Sequence, residues 1–357
     1  MTPLKRKLIA QIRADGPLTI AQFMAAGLYD PQHGYYARAP LIGEDGDFIT
    51  APEISQMFGE LIGLWCVNEW EAMGRPETLQ LVEFGPGRGL LIADAWRACR
   101  IRPAFQAAAQ ITLIEINKGL QRAQREALAG VGAHAEHRVA LEDVPEGPTL
   151  ILMNEFLDCL PVREFIHDAH GWRERVVGVT PDDPDEIQFG LGGAIDAALL
   201  PAHLRAGEEG DAAEFAPGLS GWIDQIAARL AANPGRALII DYATDGRGHT
   251  LQAMAAHEKV HPLQCPGEAD LTACVDLAYA ASLARAAGLA AAGPIGQGEF
   301  LNALGIEARA ATLSRAHPES AASIARGRRR LTHADEMGAL FQALCLSTPQ
   351  LPAPAGF

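Results

Sequence analysis

The chain has 357 residues, 48% hydrophobic and 20% charged, enough to bury a full core as one large domain with additions or as two domains. Its formal net charge of −15 argues against wrapping a phosphate backbone, a role that needs a basic face. An acidic surface suits a basic protein or peptide partner instead.

In chain order, the first 78 residues show helical periodicity in two blocks, Leu4–Ile12 and Ile54–Met73, with a loop rich in glycine, proline and tyrosine between them. They are expected to form a helical extension, 1–78, ahead of a main domain, 79–357. From Leu79 the pattern alternates: strand Leu79–Phe84, helix Leu90–Cys99, strand Ile111–Ile116, helix Lys118–Leu128, strand His137–Ala140 and buried strand Thr149–Met153. Such alternation predicts an α/β fold, a mostly parallel sheet with helices on both faces. Two short runs, Val162–His167 and Arg173–Val179, predict an inserted hairpin within about 162–193. Helix Gly218–Asn233 and strand Ala237–Ile240 resume the core, and Leu277–Ile295 reads as a packed helix and turn. The tail from Asp270 reads as helical, and its last residues, Leu351–Phe357, as frayed.

The run Leu81-Val82-Glu83-Phe84-Gly85-Pro86-Gly87-Arg88-Gly89 is a strand breaking into three alternating glycines before a helix. Glycines there let a ligand approach the backbone at a helix N-terminus. A dinucleotide fingerprint would need a glycine where Leu90 stands, and no Gly-Lys-Ser/Thr follows for a P-loop. An acidic residue followed by G-x-G-x-G resembles instead the first motif of class I S-adenosylmethionine (SAM) methyltransferases. The candidate cofactor residues are Glu83, Gly85, Pro86, Gly87 and Gly89. Ligands of open α/β sheets lie beyond the carboxyl ends of the strands. Glu115, at the end of the second core strand, is placed to accept both ribose hydroxyls, and Asp143 to reach the adenine amino group. A plain turn explains Glu142–Gly147 equally well.

At the fourth strand end, Asn154, Glu155 and Asp158 follow an apolar run, which is costly unless they face a cavity or partners. Methyl transfer needs alignment more than acid or base help. Asn154 suits the nucleophile or the cofactor's amino-acid end, while Glu155 and Asp158 suit a guanidinium fork. Capping of the following helix is the competing reading of both acids. His257, His261 and Cys265 have helical spacing, but Pro262 and Pro266 break any helix, so no metal is expected. Gly218-Leu219-Ser220-Gly221 does not fit a serine-hydrolase elbow.

Across nearly its whole length the chain resembles the MidA family, relatives of complex I assembly methyltransferases. The resemblance is carried by Phe23-Met24, Tyr29-Asp30-Pro31, Gly34-Tyr35-Tyr36, Gly46–Thr50, Pro52–Ser55, Phe58-Gly59-Glu60, Glu83–Gly89, Asn154–Val162, Asp241-Tyr242, Asp270-Leu271-Thr272 and Met337-Gly338. It implies a class I SAM-dependent fold and a protein substrate, with arginine methylation of a respiratory complex I subunit. It also implies a lid over Gly46–Ser55, with Asp47, Thr50 and Glu53 near the substrate and Thr50 near the cofactor; a packed turn is the plainer reading. The chain departs from the family pattern at Ile116-Asn117, where serine-proline is usual, and at Ala243, where glycine is usual. The rival function is a non-catalytic assembly or protein-binding factor that keeps the fold.

Six cysteines without a C-x-x-C pair predict a reducing compartment, and no stretch reads as a signal or membrane span. A bacterial cytoplasm is expected. The sequence carries no signal for oligomeric state.

Overall fold

A computed structural model describes residues 1–37 and 50–357. Their contacts separate two units, the larger within Ile49–Phe156, Ser220–Ala243 and Leu277–Phe357. Its strands are β1 (Leu79–Phe84), β2 (Ala109–Ile114), β3 (Ala135–Arg138), β4 (Thr149–Asn154), β5 (Gly235–Tyr242), β6 (Ala290–Gly296) and β7 (Phe341–Ser347). They form one seven-stranded sheet in the order β6-β7-β5-β4-β1-β2-β3. β1 to β5 pair in parallel, and β7 runs antiparallel between β5 and β6. Every residue of β1 is buried, as expected of a parallel strand covered on both faces.

Helices α1 (Gln56–Ala72), α2 (Leu90–Ala98), α3 (Lys118–Gly130), α4 (Leu219–Ala232) and α5 (Leu277–Ala286) connect or cover these strands. The predicted alternation therefore holds, as does the mostly parallel α/β class. Strand order reverses between β1 and β4, which puts the Gly85 turn and Asn154 at the switch point where such sheets bind ligands.

Two expectations for the C-terminal part are corrected. The tail is not simply helical: Leu277–Ile295 contains α5 and then β6, and Phe341–Ser347 is an interior strand next to the sheet's edge. β6 is rich in alanine and glycine, so its strand character comes from pairing with β7. Nor is Leu351–Phe357 frayed. Arg236 and Glu69, both fully buried, pair at 2.7 Å, and Arg236 also donates to the Pro352 carbonyl at 2.5 Å. Glu69 accepts the Ala355 N–H at 2.9 Å, Trp65 Nε1 donates to the Ala355 carbonyl at 3.2 Å, and Phe357 packs on Phe300. Removing one partner of a buried ion pair strands the other charge. Glu69→Ala is accordingly expected to cost about 3 kcal/mol or more in denaturant unfolding, and a loss under about 1 kcal/mol would refute this latch.

The smaller unit lies within Met1–Phe48, Leu157–Leu219 and Thr244–Asp276. Strands Arg163–Asp168 and Gly171–Val179 form the expected hairpin, but Leu18–Thr19, Ile187–Ala194 and Ala212–Phe215 extend it to five strands. Strand Asp270–Thr272 pairs with Gln252–Ala255, a second departure from a helical tail. The segment read as an N-terminal loop contains helix Ile20–Tyr29. A Thr19–Gln22 capping box starts it, and Gly27 lets Leu271 approach: a Cβ there would stand 2.7 Å from Leu271 Cδ1. Its brevity and glycine hid the helical period.

Candidate functional site

β1 runs into Gly85, whose φ is +56°. A Cβ at Gly85 would stand 2.8 Å from Cδ2 of Phe156, so both conformation and space require glycine. Phe156 is fixed by Phe84 and Trp222, with ring centroids 5.4 and 5.1 Å away. The turn closes through the Gly89 N–H, which donates to the Pro86 carbonyl at 2.7 Å.

Glu115, directly after β2, is 9% exposed. Its Oε1 accepts the Asn117 N–H at 2.7 Å, and its Oε2 accepts from Gln124 Nε2 at 3.3 Å. The same Gln124 nitrogen donates to the Gly87 carbonyl at 2.7 Å, tying the acid to the glycine turn. Gln124 Oε1 lies 2.8 Å from His137 Nε2, and an accepting Oε1 requires that nitrogen to carry the proton. Burial raises the Glu115 pKa against the pull of these N–H donors. Sequence reading missed Gln124; its signal is glutamine at 121 and 124 on the buried face of α3. The departure at Ile116-Asn117 has a local explanation, since the Asn117 side chain caps α3 by accepting from Gly119 and Leu120 at 2.8 and 3.2 Å.

Glu83 lies inside the sheet, 3% exposed, and its Oε2 has no hydrogen-bond partner among the described residues. Burial pushes its pKa up to about 8, from an ordinary 4.5. A raised carboxyl pKa contributes stability that is fully present below the unfolded value and is lost as pH rises through the folded one. Without cofactor, Glu83→Gln should therefore gain in melting temperature on the parent between about pH 5 and about pH 8; a pH-independent difference would refute the assignment.

The end of β4 carries the other charged group. Glu155 sits at φ +50°, a left-handed conformation that costs a non-glycine residue about 1–2 kcal/mol. Its backbone N–H donates to the Ile240 carbonyl at 2.9 Å. Its Oε1 accepts the Ala51 N–H at 2.9 Å and Asn154 Nδ2 at 3.0 Å. The carboxylate thus caps the short preceding helix Ala51–Ile54, not the one after it. Burial, then the neighbouring Glu53 charge, pushes its pKa up to about 7, while Arg330 and the two N–H donors pull it down. Asn154 Oδ1 is buried without a hydrogen-bond partner among the described residues. Glu53 accepts the Thr50 N–H at 3.4 Å and lies 3.9 Å from Arg88. Asp241, fully buried at the end of β5, accepts the Phe156 N–H at 3.2 Å and so holds this strand end. Its sequence signals were its place after an apolar strand and the family resemblance at Asp241-Tyr242.

The larger unit therefore gathers Thr50, Glu53, Asn154 and Glu155 around one carboxylate, and Glu83, Gly85, Pro86, Gly87, Gly89 and Glu115 around the glycine turn. Asp143 is exposed in the turn Leu141–Asp143, where its carbonyl accepts from Arg138. Asp158 belongs to the smaller unit, 8% exposed. Asp47 lies outside the described residues, as does the Gly46–Ile49 part of the expected lid.

A doubly wound sheet with a glycine turn and a carboxylate after the second strand defines an α/β protein built to hold a nucleoside cofactor. The comparisons make this specific. Residues 61–295 match the family described as "Putative S-adenosyl-L-methionine-dependent methyltransferase". The chain is 36% identical to the rat mitochondrial protein arginine methyltransferase NDUFAF7, over 97% of this chain and 84% of that protein. It is also 36% identical to the human one, over 87% and 75%. A Burkholderia thailandensis crystal structure bound to S-adenosyl-homocysteine superposes with a TM-score of 0.84 at 26% identity, over 99% of this chain and 93% of that one. The chain belongs to this family and is a SAM-dependent methyltransferase.

The residues present fit that cofactor. The Gly85 turn leaves no room for a side chain, Glu115 is held beside it as a hydrogen-bond acceptor, and Glu83 Oε2 and Asn154 Oδ1 are buried oxygens without a partner among the described residues. Among the described residues no helix is long and apolar enough to cross a membrane.

Proposed function

We propose that this enzyme is a protein arginine N-methyltransferase, acting on a subunit of respiratory complex I. The observation that carries the reading is Glu155, a half-buried acid held in a left-handed conformation beside Glu53 and the buried Oδ1 of Asn154. The arginine methyltransferase names of relatives 36% identical over most of the chain support it.

In this reading Glu115 takes the ribose hydroxyls, the glycine turn admits the nucleoside, and Glu83 and Asn154 meet the cofactor's amino-acid end or the substrate nitrogen. SAM supplies, when bound, a methyl group on a sulfonium that needs no acid to leave. The protein's own work is to align one guanidinium nitrogen and take its proton. Glu155 and Glu53 bind the cation, and Asn154 Oδ1 accepts one of its N–H groups. Ala51 and Asn154 occupy Glu155 Oε1, so Oε2 takes the proton, at a pKa suited to exchange near neutrality. The six free cysteines fit a reducing bacterial cytoplasm, which we include in the reading.

The test is mass spectrometry of complex I subunits from cells carrying the parent enzyme or Asn154→Ala. A methylated arginine present with the parent and absent with the variant is expected. Unchanged methylation would reject the site, and a parent enzyme that binds SAM and methylates no subunit would favour the non-catalytic assembly factor.

A further inference from the structure

Four sequence runs that the cofactor site leaves unused meet in the smaller unit: Tyr29-Asp30-Pro31, Gly34-Tyr35-Tyr36, Asp158-Cys159 and Asp270-Leu271-Thr272. The rings of Tyr29 and Tyr36 stack with centroids 5.6 Å apart and planes 29° from parallel, and Tyr35 meets Tyr36 edge-on at 5.4 Å. The Tyr29 hydroxyl donates to the Cys159 carbonyl at 2.9 Å, which pins the ring beside Asp158. The Asp158 carbonyl accepts the Ala273 N–H at 2.9 Å, just past strand Asp270–Thr272. Leu271 of that strand packs at Gly27, two residues before Tyr29.

Burial raises the hydroxyl pKa of both tyrosines, and the negative charges of Asp158 and Asp270 push the same way. Both rings are therefore neutral phenols in a negative local potential. Tyr29 is 42% exposed, which leaves ring surface for a ligand.

Tyrosine faces carry the negative lobe of the ring quadrupole and attract cations, and nearby carboxylates reinforce that attraction. Between the two natural cations, a guanidinium lies flat on an aromatic ring and presents its edge to carboxylates, whereas an ammonium is a compact, strongly hydrated point. We propose that Tyr29, Tyr36, Asp158 and Asp270 form a binding site for the guanidinium of an arginine in a partner protein segment. The net charge of −15 favours arrival of such a basic segment. The inference rests on the reading that the partner is an arginine-bearing protein.

Calorimetric titration of the full chain with acetyl-Gly-Gly-Arg-Gly-Gly-amide and its lysine counterpart tests it, with and without SAM. The arginine peptide should bind under both conditions, and the lysine peptide about tenfold more weakly. Tyr36→Leu and Asp270→Asn should each weaken the arginine peptide about tenfold, while Tyr29→Phe, which keeps the ring, changes it less than about twofold. Should circular dichroism show Tyr36→Leu unfolded, Tyr29→Ala at the exposed ring carries the same expectation. SAM affinity should be unmoved in every folded variant. Equal affinity for the two peptides, or no binding to the parent chain, overturns the proposal. Binding untouched by these variants but lost in Glu155→Gln also overturns it, while leaving the methyl-transfer reading in place. Failure of that reading shows instead in the mass-spectrometric test, with peptide binding intact.

Discussion

Glu115→Ala is expected to weaken SAM binding by about a hundredfold or more, because the two charge-assisted hydrogen bonds to a ribose that the proposed role gives it are worth about 1.5–3 kcal/mol each. The loss should appear in equilibrium titration with the fold intact. Asn117 caps α3 through its own side chain and does not need the acid. Gln124→Leu should give a smaller loss of the same kind, since it releases Glu115 from the Gly87 carbonyl without removing the carboxylate. If Glu115→Ala bound SAM as the parent does, the ribose assignment would be wrong, and the acid would be only a strut between β2 and α3.

Glu155→Gln should lower kcat/KM for the arginine substrate by about a hundredfold or more, the scale for removing one charge from a buried charged pair. Glutamine keeps an oxygen for the Ala51 N–H, so the short helix Ala51–Ile54 stays capped and SAM affinity is retained. A pH profile separates charge from shape. The Glu155 pKa is raised to about 7; its protonated form can neither pair with a guanidinium nor take a proton. Parent kcat/KM should therefore rise with pH through about 7 and level off above it, and the variant should lack that step. A variant that kept the full step would move the titrating group elsewhere.

Four of the five parallel strands were legible because strands buried in the sheet read as apolar runs, and their ends because polar residues stop those runs abruptly, whereas the edge strand Ala135–Arg138 is polar and half-exposed and was expected two residues later, at His137–Ala140. Leu79–Phe84 and Thr149–Asn154 are the clearest cases, and they carry Gly85 and Asn154 to the switch point. Ala290–Gly296 was not legible, because its composition is neutral and its partner lies at residues 341–347. The five-stranded sheet of the smaller unit draws on Leu18–Thr19 and Ala212–Phe215, too short for any period to show. In the candidate site, Glu83, Glu115 and Glu155 could be read from position along their strands. Gln124 and Asp241 could not, since each acts by joining segments that only the fold brings together.

The placement of β7 bears on the order in which the chain is made. β5 and β6 leave the ribosome well before Phe341–Ser347, yet in the finished sheet β7 stands between them and pairs with both. Until β7 emerges, β5 presents one unpaired edge, and β6 has no sheet to join, an invitation to pairing with other nascent chains. The latch lies later still in the chain, since Arg236 donates to the Pro352 carbonyl and Glu69 accepts the Ala355 N–H. A chain lacking residues 341–347 would leave the nucleoside-binding sheet open between β5 and β6.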